Sequence, residues 1–140
     1  MDGRKSADGA WLLPQNVSEA MVLLEQAALL GSLEAHVNLA RIYLTGIFDY
    51  ASMSFLVPKN VTRGLYHLTK AVEAEAPMGY HTLGEIVHYE AQVPDLPESF
   101  LELYNLTSKQ RRCEVSMEFY ARSVLRGYLK NWLTLAEKRY

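Results

Sequence analysis

The sequence is poor in cysteine, in long apolar runs and in net charge, and each shortage excludes a class of protein. Cys113 is the single cysteine, so an intrachain disulfide framework is excluded. No apolar stretch reaches the roughly 20 residues that a membrane-spanning helix needs, and the first residues are not followed by a signal-type apolar segment. We therefore expect an intracellular protein, cytoplasmic or mitochondrial, without membrane insertion.

The net charge is small but unevenly distributed along the chain. Fourteen basic and 16 acidic side chains give a formal net charge of −2, which does not indicate nucleic-acid binding. Residues 109–140 nevertheless hold 8 basic and 3 acidic side chains. Such a stretch is typical of a solvated basic helix, and the alternative is a contact face for an acidic protein or RNA.

Motifs of catalysis and metal binding are scarce as well. The sequence has no phosphate-binding glycine loop, no H-E-x-x-H and no nucleophile elbow. His81, Glu85 and His88 share one helical face and are residue types that ligate zinc. We expect that face to be solvated and to lack the hydrogen bonds that orient metal ligands. His36 and His67 have no evident partners. We therefore expect a protein that is not an enzyme and that binds neither a metal nor a cofactor. A zinc enzyme is the least favoured alternative.

The sequence does contain a recurring frame of small and apolar residues. The frame recurs with a shift of 44 residues, beginning at Gly64, and with a shift of 96 residues, beginning at Ser116. A period in the forties is typical of an array of helix pairs that must stack to bury their apolar faces. The first copy consists of Ala20, Leu24, Ala27, Ala28, Gly31, Ala35, Leu39, Ala40, Tyr43 and Gly46.

The frame predicts an all-α, right-handed α-solenoid of about three antiparallel helix pairs with two insertions. Helices are predicted over 17–30, 32–45, 60–74 and 78–89, with turns at Gly31 and at 75–77. The third pair is predicted to turn at Gly127. The segments are an N-terminal arm ended by Pro14 (1–16), repeat 1 (17–46), an insertion (47–57), repeat 2 (58–90), a second insertion (91–111) and a degenerate repeat 3 (112–140).

The first copy of the frame resembles the Sel-one-like repeat, a tetratricopeptide-type helix pair. The second copy matches it less completely, and the third rests on few residues. The resemblance implies an α-solenoid adaptor that scaffolds complexes, and it carries no shared catalytic residues. The matching positions beyond the first copy are Val57-Pro58-Lys59-Asn60, Leu68, Lys70-Ala71 and Leu83-Gly84, then Phe119-Tyr120, Gly127 and Leu135-Ala136.

The first helix of each unit has a face opposite its packing positions, and in tetratricopeptide-like arrays this face lines the concave groove. Its mixture of apolar and charged side chains suits a peptide or helix laid in a groove. The alternative is a solvated surface with scattered apolar residues. The predicted groove residues are Val22, Glu25, Gln26, Leu29, Tyr66, Thr69, Lys70, Glu73, Glu118, Arg122 and Leu125. Ala121 shares the face of the last three.

The first insertion is a second candidate contact surface. Aromatic residues and methionine are enriched at the centres of protein interfaces, and the alternative is that they cover the array's own core. The residues concerned are Phe48, Tyr50, Met53, Phe55 and Leu56.

These features predict a non-catalytic scaffold or adaptor that docks a peptide, a helix or a larger subunit, within a multi-subunit complex. The alternative is a structural subunit of a large organellar or ribonucleoprotein assembly that uses the basic C-terminal helix pair. RNA is the less favoured partner, because RNA-reading helical repeats carry matched side chains in every unit. The sequons at Asn16, Asn60 and Asn105 are interpreted as helix-terminal residues rather than glycosylation sites.

Overall fold

The structure, a computed structural model, describes residues 12–89 and 93–137, and the side chains of 16–89 and 93–127. These residues form six α-helices and a two-stranded antiparallel sheet, so the fold is predominantly helical as predicted. The chain divides into two compact units, the first ending at His67 and the second beginning at Leu68. The elements are α1 (Leu12–Leu29), α2 (Leu33–Thr45), β1 (Ile47–Asp49), β2 (Ser54–Val57), α3 (Val61–Glu73), α4 (Pro77–His88), α5 (Glu98–Leu103) and α6 (Lys109–Glu137).

The N-terminal arm is shorter than predicted, because α1 begins at Leu12. Pro14 lies in the first turn of α1, where a backbone N–H has no partner within the helix. A proline is tolerated there, so the break predicted at Pro14 and the arm predicted over 12–16 are wrong. The rest of the predicted arm, residues 1–11, lies outside the described residues.

The turn between α1 and α2 forms at Gly31, as predicted. Gly31 has a φ of +94°, its N–H donates to the Ala28 carbonyl over 3.0 Å, and the Ser32 N–H donates to the Ala27 carbonyl over 3.0 Å. This pair of bonds is the Schellman arrangement that ends a helix on a left-handed residue. The Ser32 hydroxyl then accepts from the Ala35 N–H over 3.2 Å and begins α2.

Small residues of the frame form the α1–α2 contact. Ala28, Ala35 and Leu39 are buried together, and Leu24 and Tyr43 pack against them half-buried. Small side chains allow two helix backbones to approach while the larger ones fill the remaining space. Two frame positions depart from this pattern, since Ala20 and Gly31 are exposed.

The first insertion is a β-hairpin, an element that the sequence analysis did not predict. β1 and β2 pair antiparallel, with Phe48 opposite Phe55 and Asp49 opposite Ser54. The buried Asp49 carboxylate accepts from the Ala51 N–H over 3.1 Å and from the Ser52 hydroxyl over 2.8 Å. These bonds close the four-residue loop in the manner of an Asx turn.

In the second unit, α3 ends and α4 begins without a glycine. Glu75 has a φ of +56°, its N–H donates to the Val72 carbonyl over 2.9 Å, and the Ala76 N–H donates to the Ala71 carbonyl over 3.0 Å. These are the two Schellman bonds seen at Gly31. Pro77 then occupies the first turn of α4, where its fixed φ suits a helix start.

α4 is the central helix of the second unit, buried on most of its surface and packed along α6. Gly79 lets α4 approach α3 closely, and Gly84 lets it approach α6 closely. A Cβ at Gly79 would lie 3.0 Å from the Ala71 Cβ, and one at Gly84 would lie 2.9 Å from the Tyr120 ring. Hydrogen at these positions therefore permits backbone contacts that any side chain would obstruct.

The predicted third helix pair is wrong, because α6 is one helix of 29 residues that passes through Gly127. Glycine inside a helix costs about 1 kcal/mol relative to alanine, which the other residues of a long helix outweigh. α6 also begins earlier than the predicted Arg112, since the Ser108 hydroxyl accepts from the Arg111 N–H over 3.1 Å. The helices α5 and α6 therefore stand where a third helix pair was predicted, and the solenoid arrangement stays a prediction.

Candidate functional site

The α1 face predicted to bind a partner is exposed. Leu29 is 88% exposed and Val22 is 54% exposed, with Gln26 exposed between them. Their spacing of three and four residues places them on one face of the helix. Leu23 and Leu30, which the sequence analysis did not select, are also exposed, Leu30 to 89%. We call Val22, Leu23, Gln26, Leu29 and Leu30 the α1 face.

The sequence segment that contains the α1 face carries charge of one sign, although Arg63 of α3 pairs with Glu25. Residues 16–40 contain no lysine or arginine, and they contain Glu19, Glu25 and Glu34. Glu19 and Glu34 are exposed, whereas Glu25 is half-buried. An apolar surface with acidic neighbours attracts partners that carry basic residues.

The remaining predicted groove residues divide between the two units. Tyr66 is exposed in the first unit. In the second unit the other six are exposed as well, Thr69, Lys70, Glu73, Glu118, Arg122 and Leu125. Residues that bind a partner must be accessible to it, and these residues are accessible in both units. That these residues line one groove stays a prediction.

The hairpin exposes part of the second predicted surface. Tyr50, Met53 and Phe55 are exposed, whereas Leu56 is half-buried. The half-buried Phe48 ring contacts the Tyr50 and Phe55 rings edge-on, with centroids 4.9 and 5.0 Å apart. The insertion therefore presents a small aromatic cluster, and its role in binding stays a prediction.

Two basic side chains of α6, those of Arg122 and Arg126, make contacts inside the second unit. Arg126 forms an ion pair with Glu75. The Arg122 guanidinium lies 6.0 Å from the Tyr80 ring centroid and 5.9 Å from that of Phe119. The ion pair partly neutralises Arg126, whereas the cation–π contacts leave the charge of Arg122 in place. The helix pair predicted for the basic alternative is a single helix, and binding of RNA or an acidic protein by it stays a prediction.

The candidate zinc residues do not converge. His81 Nε2 lies 3.7 Å from a Glu85 carboxylate oxygen, while the His88 ring contacts the Tyr89 and Tyr120 rings. In the part of the chain that the structure describes, no three histidine, cysteine, aspartate or glutamate side chains are placed to hold a metal ion. No helix in that part is long and apolar enough to cross a membrane.

A cluster of polar side chains in the first unit was missed by the sequence analysis. His36 of α2 and His67 of α3 contact each other through their Nδ1 atoms, 2.9 Å apart. His67 is only 5% exposed, and its ring stacks on Tyr43 with centroids 6.0 Å apart. The expectation that the two histidines lack partners is therefore wrong. We call them the histidine pair.

Glu25 of α1 joins this cluster through both carboxylate oxygens. Its Oε2 accepts from the Arg63 guanidinium, and its Oε1 lies 3.6 Å from His67 Nε2. Neither Glu25 Oε1 nor His67 Nε2 makes a hydrogen bond within the usual distance. Glu25 was predicted to face a partner in the groove, but the structure shows that it contacts α3 instead.

The cluster shifts the ionisation of its members. Burial lowers the pKa of His67 below 6.5, and the nearby His36 and Arg63 act in the same direction, whereas the Glu25 carboxylate opposes them. The hydrogen bond to Glu25 raises the pKa of Arg63, which therefore stays charged. His67 is thus held neutral by its surroundings at neutral pH.

The sequence holds only a faint signal of this cluster. His36 follows the frame position Ala35, and His67 precedes the frame position Leu68. Polar residues next to packed positions on helices tend to lie at the margin of the core, where they need partners. Because His36 and His67 are 31 residues apart in the sequence, the sequence does not indicate that they contact each other.

Comparison with known proteins adds no identification: no family model, curated protein or solved structure matches the chain. The resemblance to the Sel-one-like repeat accordingly stays a prediction.

Proposed function

We propose that the protein is a non-catalytic adaptor whose α1 face binds an amphipathic helix of a partner protein. The observation that supports the proposal best is the near-complete exposure of Leu29 and Leu30 beside Val22 and Leu23. Leu29 at the end of α1 and Leu30 directly after it are adjacent, and adjacent exposed apolar side chains are typical of binding surfaces, whereas isolated ones are ordinary.

The chemistry of the partner follows from the surface. The α1 face offers apolar side chains at helical spacing, which fit the i, i+3, i+4 anchors of an opposing helix. The absence of lysine and arginine from residues 16–40, and the exposed carboxylates of Glu19 and Glu34 there, favour basic residues beside those anchors. The partner segment we propose is therefore a helix with one apolar face flanked by lysine or arginine.

The proposal is tested by photo-crosslinking in cells of origin, with p-benzoylphenylalanine replacing Gln26 at the middle of the α1 face. We expect one stoichiometric protein to be crosslinked through an amphipathic basic helix. The double variant Val22→Asp, Leu29→Asp should weaken its binding to the purified chain by about 30-fold or more, since loss of an interface hot spot costs 2 kcal/mol or more.

The matched control is Met117→Asp, Val124→Asp, which places the same change at the same seven-residue spacing on exposed positions of α6. This variant should bind as the wild type does, and both should fold normally because the substituted side chains are exposed. Equal binding by the two double variants, or a crosslinked partner retained by the α1 variant, would contradict the proposal.

A further inference from the structure

The histidine pair shares a single N–H between its facing nitrogens. At 2.9 Å, the two Nδ1 atoms are at hydrogen-bond distance, so one must donate and the other must accept. Two lone pairs would repel each other at this distance, and so would two N–H groups. The contact therefore exists only while one of the two Nδ1 atoms is unprotonated.

The surroundings indicate which ring accepts. His67 Nε2 faces the Glu25 Oε1 atom 3.6 Å away, and a lone pair there would face the negative charge of the carboxylate. The favourable tautomer of His67 thus carries its hydrogen on Nε2. Its Nδ1 is then the acceptor, and His36 Nδ1–H is the donor.

Protons added at the two unprotonated ring nitrogens of the pair have different effects on the bond between the Nδ1 atoms. A proton added at His36 Nε2 would leave the bond between the Nδ1 atoms unchanged, because that nitrogen takes no part in it. A second proton would have to bind at His67 Nδ1, the atom that accepts the bond. Both rings would then direct an N–H and a positive charge at each other, in a buried position that disfavours charge.

We propose that the histidine pair is a pH-sensitive contact between α2 and α3 in the first unit, which breaks once both rings are protonated. The groups facing His67 are Glu25 from α1, His36 and Tyr43 from α2, and Arg63 and Tyr66 from α3 itself. Glu25 alone favours the charged ring, and Arg63 already neutralises that carboxylate. The inference is independent of the adaptor function.

The direction of the pH dependence follows from the lowered pKa of His67. Below its ordinary value of 6.5, the unfolded chain binds a proton at this residue that the folded chain does not. The stability of the first unit is therefore complete above 6.5 and decreases as the pH falls towards the folded-state pKa. Below that value the remaining folded chains carry a broken contact.

The decisive measurement is an NMR titration of the His67 ring nitrogens in the full chain. We expect His67 to titrate below the ordinary imidazole value of 6.5, together with changes at the backbone amides of α2 and the first part of α3. Titration of His67 at 6.5 or above, without amide changes, would overturn the proposal.

A variant separates the proton effect from simple packing. The amide of His36→Asn can donate to His67 Nδ1, and after rotation its oxygen can accept from a protonated His67, so acid should no longer break the contact. Because burial of His67 persists in this variant, we expect it to lose only the part of the fall in Tm on acidification that comes from the His36–His67 contact. The control His88→Asn lies outside the first unit and leaves that contact intact. An equal fall in His36→Asn and wild type would overturn the proposal. Should His36→Asn not fold, the titration of the wild type decides.

Discussion

Two parts of the chain place glycine at the same position of the repeat frame and give it different conformations. At the end of α1, Gly31 adopts a φ of +94° and reverses the chain. Within α6, Gly127 lies in an uninterrupted helix. Between them in sequence, Glu75 adopts a φ of +56° and forms the same two backbone bonds as Gly31. Glycine is therefore neither sufficient nor necessary for this turn.

The residues that follow each position account for the difference. Gly31 is followed by Ser32, whose hydroxyl begins α2, and Glu75 is followed by Ala76 and Pro77, which begins α4. A helix-starting residue directly after the turn lets the next helix form at once. Gly127 is followed by Tyr128-Leu129-Lys130, which contains no helix-starting residue, so continuing the helix is favourable.

Gly31→Ala tests the left-handed turn and should have the largest effect of this set. A Cβ at Gly31 would meet no atom within 4 Å, so only the backbone conformation opposes it. The left-handed region costs a residue with a Cβ about 1–2 kcal/mol, and we expect this loss in the free energy of unfolding. Urea denaturation followed by helical circular dichroism measures it, and unchanged stability would contradict the assignment of the turn.

Gly127→Ala tests the opposite case and should stabilise the chain. The nearest atom to a Cβ there would be the Pro77 Cβ at 3.9 Å, an ordinary contact. Alanine in a helix interior is favoured over glycine by about 1 kcal/mol, so the free energy of unfolding should rise by that amount. A fall instead, in the same denaturation experiment, would mean that residue 127 forms a turn in solution.

The sequence predicted α1 to α4 because those helices combine an apolar period with recognisable ends. Their predicted bounds differ from the observed ones by one residue at most, apart from the start of α1. The hairpin could not be predicted from composition alone, since its strands are only three and four residues long. Register and loop closure there depend on Asp49, whose hydrogen bonds are visible only in the folded chain.

Exposure at the candidate site was more predictable than contact. The helical wheel placed Val22, Gln26 and Leu29 on an exposed face, and they are exposed. It also placed Glu25 there, although Glu25 bonds to Arg63 across 38 residues of sequence. A wheel describes one helix and cannot include the neighbour that a long side chain reaches. For the same reason the histidine pair, which joins α2 to α3, was not predicted.

Two variants of Glu75 test whether its turn has the same conformation as the turn at Gly31. Their expected effects on stability are the smallest of this set. Glu75→Gly relieves the left-handed strain but removes the exposed ion pair with Arg126 and adds unfolded-chain entropy. Glu75→Ala removes the same ion pair and keeps the strain. We expect the free energy of unfolding of Glu75→Gly to be about 0.5 kcal/mol higher than that of the wild type. It should be about 1 kcal/mol higher than that of Glu75→Ala. If alanine were as stable as glycine, the conformation at residue 75 would not resemble that of Gly31, and the two turns would differ in kind.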